Sequence, residues 1–312
     1  MTEPIDRRSV LRRTASASIG ALALTAGGLS VASAASAAPT TRQAAEAKRI
    51  VYVEVNDNDM ANAADYTLQG TNRPAFDIAI IFAANINYDS GSGSAYLHLN
   101  ERVTETLSDA ANQIRPLQQR GIKVLLSILG NHQPAGIANF PSRETAAAFA
   151  DELAAVVSDY GLDGIDFDDE YSNYNGGGNG PANASSFVYL VDELRDRLGP
   201  DKLITFYKIG PAAGATEYGG IRAGDILDYS WNPWYGQWSV PSVTGMDDSQ
   251  LAPGAIDLTQ TSSGTAANFA NRTVNEGYGA IITYNLVAGN HASYISGITK
   301  PLTGLDTVHD PH

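Results

Sequence analysis

Asp163-Gly164-Ile165-Asp166-Phe167-Asp168-Asp169-Glu170 sits mid-chain between two helical patterns, and its reading decides the fold. Read as a strand, it sends alternate side chains to opposite faces. Asp166, Asp168 and Glu170 then share one face, and Ile165, Phe167 and Asp169 the other. Three carboxylates on one strand face raise one another's pKa values wherever water is scarce. Such a cost to stability is met where chemistry needs a protonated acid near neutral pH. A solvated acidic edge or a loose cation site is the plain alternative, but apolar Ile165 and Phe167 argue for a buried strand. Asp169, facing away, is expected to be structural. Asp163, ahead of the strand, is expected to be a turn or supporting residue.

Outward from this strand, short apolar, β-branched runs alternate with helical patterns. The runs cover 50–55, 76–82, 122–127, 162–167, 203–207, 226–231, 255–258 and 280–284. The helical patterns cover 103–120, 142–160, 185–198 and 265–276. Continuous apolar strands between helices are buried parallel strands. Eight of them over about 250 residues predict a single-domain α/β fold, a (β/α)8 TIM barrel. Gly- and Pro-rich stretches such as 210–214 and 241–245 follow the fifth and sixth strands, so helices there are expected to be short or missing. A doubly wound open sheet is the rival. It needs a glycine-rich turn after the first strand, and Asn56-Asp57-Asn58-Asp59 is not one. The barrel is expected over 49–300, with 301–312 as a C-terminal tail.

The chain starts differently. Arg7-Arg8 precedes an apolar, small-residue run over 19–32 and Ala-Ser-Ala repeats at 32–34 and 35–37. Residues 1–38 read as an export signal of the twin-arginine type, followed by a disordered linker over 39–48. The run is too short and too rich in Ala, Gly and Ser to span a bilayer. The mature protein is therefore expected to be secreted, monomeric and free of the membrane. The signal holds four arginines and two carboxylates, a net +2, so the formal charge of −14 becomes −16 on cleavage. So acidic a chain argues against nucleic acid and anionic membrane as partners. Cysteine is absent, so stability rests on a sizeable core. The five histidines show no metal-ligand spacing, and Ser90-Gly91-Ser92-Gly93-Ser94 reads as a flexible loop rather than a phosphate cradle. No metal and no cofactor are expected.

Barrel enzymes place their chemistry at the carboxyl ends of their strands. Here those ends offer Glu54 and Asn56, Asn85 and Asn87, Asn131 and His132, and Asp168 and Glu170. Tyr207 and Lys208 follow, then Trp231, Asn232, Trp234 and Tyr235, with Tyr284 and Asn285 closing the ring. Aromatic faces, amides and carboxylates without a metal set suit a carbohydrate, whose C–H faces stack while its hydroxyls hydrogen-bond. The candidate catalytic residues are Glu170, Asp168 and Asp166. The candidate substrate contacts are Asn85, Tyr207, Trp231, Asn232, Trp234, Tyr235 and Tyr284. Tyr52, Phe82, Phe167 and Tyr229 read as core aromatics.

The Asp163-x-x-Asp166-x-Asp168-x-Glu170 pattern resembles that of the family 18 glycoside hydrolases, which include the chitinases. Tyr52-Val53-Glu54-Val55-Asn56, Phe167-Asp168-Asp169-Glu170-Tyr171, Trp231-Asn232-Pro233 and Thr283-Tyr284-Asn285-Leu286 are similar to the secreted bacterial endo-β-N-acetylglucosaminidases of the Endo H type. The likeness extends over nearly the whole mature chain. It implies hydrolysis of the GlcNAc-β-1,4-GlcNAc bond in the chitobiose core of N-linked high-mannose and hybrid glycans on glycoproteins. It also implies a substrate-assisted retaining mechanism, in which the substrate acetamide attacks the anomeric carbon and forms an oxazolinium ion. Glu170 would be the general acid and Asp168 the group that orients the acetamide, with Asp166 beneath sharing a proton with Asp168. Lys208 and Trp234 depart from the family pattern, which has Asn and Tyr there. A chitinase-type hydrolase of chito-oligosaccharides is the nearest alternative. A non-catalytic family 18 lectin is another, and the presence of Glu170 argues against it.

Overall fold

The apolar runs become the strands of a parallel barrel in the computed structural model, which describes residues 46–311. The expected export signal and residues 39–45 of the expected linker lie outside the described residues. In chain order the first strands are β1 (Lys48–Glu54), β2 (Tyr66–Leu68), β3 (Ile78–Asp89), β4 (Ser94–His98), β5 (Lys123–Gly130), β6 (Gly164–Asp168) and β7 (Leu203–Tyr207). They continue as β8 (Glu217–Tyr218), β9 (Ile221–Arg222), β10 (Tyr229–Trp231), β11 (Leu251–Ala252), β12 (Ala255–Asp257), β13 (Ala280–Tyr284) and β14 (Thr307–His309). The helices are α1 (Glu101–Ser108), α2 (Ala110–Gln113), α3 (Arg115–Gln119), α4 (Arg143–Tyr160), α5 (Ser186–Leu198), α6 (Ser263–Glu276) and α7 (Ala292–Thr303).

Nine strands lie side by side in the order β11-β10-β7-β6-β5-β3-β1-β13-β12, every pair parallel. The seventh barrel position is split. β11 pairs with β10 and β12 with β13, and only Pro253 and Gly254 separate the two. Proline has no N–H to give a ladder, so the strand breaks where the barrel closes.

Side-chain parity divides the core. Ile50, Tyr52, Ile80, Leu125 and Ile282 pack inside the barrel, whereas Val51, Val53, Ile81, Leu126, Ile165 and Phe167 pack under the helices. Phe167 meets Phe187 of α5 edge-on at 5.8 Å. With Ile165 and Phe167 outward, Asp166 and Asp168 must face the barrel axis. A slip of one residue would reverse both sets.

All eight expected runs are strands, and no α-helix follows β7 or β10. Several boundaries differ. The run expected over 76–82 continues to Asp89 and returns as β4, so residues 90–93 are the turn of a hairpin, with Gly93 in the left-handed region. The helix expected over 103–120 is three short ones, broken at Asp109 and at Ile114, the second break because Pro116 cannot continue an α-helix from the turn before it. No α-helix follows β1, only a 3-10 turn over Met60–Asp65 and the short β2. The expected tail is not one: α7 runs to Thr303, and β14 pairs antiparallel with β2. Buried Thr307 anchors it, its hydroxyl 2.8 Å from that of Thr299. Helix α4, by contrast, starts as its sequence suggests. Ser142 and Thr145 exchange backbone-to-side-chain bonds in a capping box, and Gly161 ends the helix at φ 62°.

Candidate active site

Asp166 lies at the centre of the acidic face. Its neighbours in register are Ser127 on β5 and Thr205 on β7, both directed inward. Their hydroxyls donate to its carboxylate at 2.8 and 2.7 Å. Tyr52, from β1 across the barrel, donates a third bond at 2.8 Å and itself accepts Trp231 Nε1 at 2.9 Å. Burial pushes the Asp166 carboxyl up to about 6, against the pull of the Thr205, Tyr52 and Ser127 bonds. Its donors are the hydroxyls of Ser127, Thr205 and Tyr52 and the backbone N–H of Phe167.

Asp168, two residues on, is as deeply placed but unsupported. It is 3% exposed, and its Oδ1 has no hydrogen-bond partner. Burial, then the charges of Glu170, Asp166 and Asp169, push its carboxyl well above the usual range. A buried acceptor without a donor costs free energy until something supplies one. Glu170, just past the strand, is half-buried, and burial raises its pKa too.

The flanking acids are structural. Asp169 is buried on the opposite face, accepting from the Tyr174 hydroxyl and, at 2.7 Å, from Ala212 N. Burial pushes it up to about 6 while those two bonds pull it down. The Tyr174 oxygen accepts Ala138 N at 3.2 Å, so Asp169 joins the loops after β5, β6 and β7. Asp163 accepts from Val124 N, Gln118 and Lys123, which together hold its pKa below the usual range in spite of burial.

Asp168 and Glu170 open into a cavity of about 420 Å³, lined also by Tyr52, Glu54, Phe82, Leu129, Tyr171, Tyr207, Tyr235 and Tyr284. Tyr52 forms the floor, with Phe82, Tyr207 and Tyr284 edge-on to it at 5.7, 6.2 and 6.3 Å. Tyr235 stacks on Tyr284 at 5.1 Å and donates its hydroxyl to Tyr207, which donates to Pro233 O at 2.7 Å. Three non-glycine residues at the barrel mouth, His132, Tyr171 and Asn285, hold left-handed backbone at φ 56°, 61° and 65°. Such conformations cost about 1–3 kcal/mol each and gather at functional sites. Bonds from Gly130 N to Glu170 O (3.0 Å) and from His132 N to Tyr171 O (2.7 Å) continue the β5–β6 ladder past the strand ends and fix the Glu170 backbone. Among the described residues no group of three or more His, Cys, Asp or Glu side chains is arranged to hold a metal.

Of the expected substrate contacts, Tyr207, Tyr235 and Tyr284 face the cavity. Trp231 and Asn232 do not; both are fully buried. Trp231 supports Tyr52 from below, and Asn232 is spent on Gln237 O and Pro253 O, each at 2.9 Å. Asn85 turns its amide to Leu129 O and Gly130 O. Trp234 stands 54% exposed in the loop beside Tyr235, outside the cavity lining. Glu54, Phe82 and Tyr171 line the cavity without having been singled out as contacts. Strand parity could have found Glu54, which shares the inward face of β1 with Tyr52. The left-handed turn that presents Tyr171 leaves no mark in composition.

Comparison with known proteins gives the same reading. Residues 48–230 match the family described as glycosyl hydrolases family 18. An endo-β-N-acetylglucosaminidase of Flavobacterium sp. is 52% identical over 256 residues, 82% of this chain and 80% of that protein. Endo-β-N-acetylglucosaminidase F1 of Elizabethkingia meningoseptica is 34% identical over 289 residues, 88% of this chain and 84% of the relative. Among solved structures, EndoBT-3987 of Bacteroides thetaiotamicron with a Man5GlcNAc product superposes with a TM-score of 0.75 at 28% identity. That match covers 85% of this chain but only 63% of the neighbour's length. An acid pair on the inward face of the fourth barrel strand, under an aromatic box and with this relationship in sequence, means that the chain belongs to the family 18 glycosyl hydrolases.

Proposed function

We infer that the protein is an endo-β-N-acetylglucosaminidase, cleaving the GlcNAc-β-1,4-GlcNAc bond in the chitobiose core of N-linked high-mannose and hybrid glycans. The observation that carries this is Asp168 Oδ1, a buried acceptor without a donor, in a cavity shared with Glu170. An N-acetyl group supplies the missing N–H. With its nitrogen held by Asp168, the acetamide carbonyl oxygen is directed at the anomeric carbon. Glu170, whose pKa burial raises, gives its proton to the bridging oxygen as that bond breaks. The acetamide oxygen closes an oxazolinium ring, and the Asp168 carboxylate faces the positive charge that develops on nitrogen. Ionised Glu170 then takes a proton from water, which opens the ring with net retention. Asp166 and its three hydroxyl donors form the support beneath Asp168. The similarity to two endo-β-N-acetylglucosaminidases, and to a structural neighbour holding a Man9GlcNAc2Asn substrate, supports the N-glycan core as the target. We propose further that the mature enzyme acts outside the cell as a monomer.

The test is the product mass after incubation with one high-mannose glycoprotein. The expected outcome is free glycan ending in a single N-acetylglucosamine, with one N-acetylglucosamine left on each asparagine. Binding without release of glycan, or release of the whole chitobiose unit, would overturn this reading.

A further inference from the structure

The third carboxylate of the cavity, Glu54, has no part in the mechanism above. It is the last residue of β1, and in the barrel order β3 and β5 stand between β1 and β6. Glu54 therefore belongs to the wall across from Glu170, beside Phe82 and Tyr284. Asn56 fixes one of its oxygens, Oε1, from Nδ2 at 2.6 Å and from the backbone N at 3.3 Å. Among the described residues the other oxygen has no hydrogen-bond donor and the carboxylate no ion-pair partner. Half-burial raises its pKa, as expected of a carboxylate that has lost water without gaining a cation.

We propose that Glu54 is a specificity-determining residue that accepts a hydroxyl of the sugar on the glycone side of the cleaved bond. The proposal rests on the glycosidase reading above. Phe82 and Tyr284, on the strands either side of β1, offer ring faces for sugar C–H groups, and neither donates a hydrogen bond to Glu54, so a sugar hydroxyl is the group that completes the carboxylate. Glu170 marks the bond that breaks, and Glu54 lies away from it, where contacts are equal in the ground and transition states. Such contacts set KM rather than kcat.

The experiment uses two backgrounds. In Glu170→Gln, which keeps the shape of the cavity without turnover, calorimetry measures affinity for a high-mannose glycopeptide with and without Glu54→Gln or Glu54→Ala. Loss of a charge-assisted hydrogen bond predicts binding weaker by about 10- to 100-fold. In the active enzyme, the same Glu54 changes should raise KM and leave kcat near wild type. They should weaken inhibition by the Man5GlcNAc product and leave inhibition by N-acetylglucosaminyl-asparagine unchanged. A distorted pocket would move both inhibitors together, and that result overturns the proposal, as does equal affinity with and without Glu54. If Glu170→Gln itself binds no high-mannose glycopeptide, the glycosidase reading fails, independently of Glu54.

Discussion

Glu170 and Asp168 are two residues apart, at the end of β6 and just past it, but stand in different surroundings, and substitutions should separate their roles. Glu170→Gln keeps shape but cannot protonate the leaving oxygen, a contribution of about 10²–10⁴-fold. Asp168→Asn removes the charge facing the oxazolinium nitrogen, with a loss of similar size. Given a preformed sugar oxazoline, Asp168→Asn still has Glu170 as acid/base. It should transfer that sugar to an N-acetylglucosamine acceptor better than Glu170→Gln does. Asp169→Asn should lower stability and leave the turnover of folded enzyme nearly intact, because its carboxylate faces Tyr174 and Ala212 rather than the cavity. A dead Asp169→Asn beside an active Asp168→Asn would refute the assignment. Asp169 also predicts a pH effect. Its folded pKa is raised to about 6 from the ordinary 3.8, so ionisation disfavours the folded state. At pH 7 that cost is about 3 kcal/mol, and it is relieved as pH falls from about 6 towards 4. Thermal unfolding should show wild type gaining stability relative to Asp169→Asn over that window. A difference that is flat with pH would count against the buried, ionised carboxylate.

At the level of elements, the loop after β7 shows how the acidic strand is held. Gly210 has φ +70°, and a Cβ there would lie 2.0 Å from Asp169 O. At φ +70° and ψ −171° the backbone lies in a region almost confined to glycine, which costs another residue about 1–3 kcal/mol, and the clash adds to it. Gly210→Ala must therefore push the backbone that carries Asp168 and Glu170. It should reduce both Tm and kcat, whereas Gly214→Ala, with open space around it in the same loop, should change neither. Equal behaviour of the two variants would mean that the loop does not position the acids. Much of this frame was legible in the chain. Period-two alternation around Ile165 and Phe167 is enough to send Asp166 and Asp168 to the barrel axis and Asp169 to the helices. The split at Pro253 and the β3–β4 hairpin were less legible, since both depend on how the barrel closes and on which strand edge is left free. Least legible was the support beneath the acids. Tyr52 and Trp231 are separated by 179 residues, and their bond exists only because the barrel brings opposite strands together. Trp231, a candidate substrate contact from its place at a strand end, is fully buried and supports Tyr52 instead.

For the whole molecule, two expectations concern the route to the substrate and the choice of it. The Arg7-Arg8 pair lies outside the described residues, and the proposal of export rests on sequence alone. Replacing both with Lys should leave the precursor inside the cell, and unchanged secretion would reject the twin-arginine route. Substrate choice follows from the shape of the barrel mouth. A processive chitin site requires a row of equivalent subsites, each offering an aromatic face to an identical sugar. Among the described residues this mouth has one aromatic box, from Tyr52 to Tyr284, with the carboxylate of Glu54 set in its wall. Such asymmetry suits one N-acetylglucosamine held tightly, followed by sugars rich in hydroxyls and free of acetamides. A mannosylated chitobiose should therefore be cut far faster than a chito-oligomer of equal length, with the difference carried by kcat/KM. The comparison needs only the two substrates at matched concentration and the rate of release of each product. Faster cleavage of the chito-oligomer would place the enzyme among the chitinases while leaving the acid pair and the acetamide chemistry untouched, since both substrates present the same N-acetyl group to Asp168.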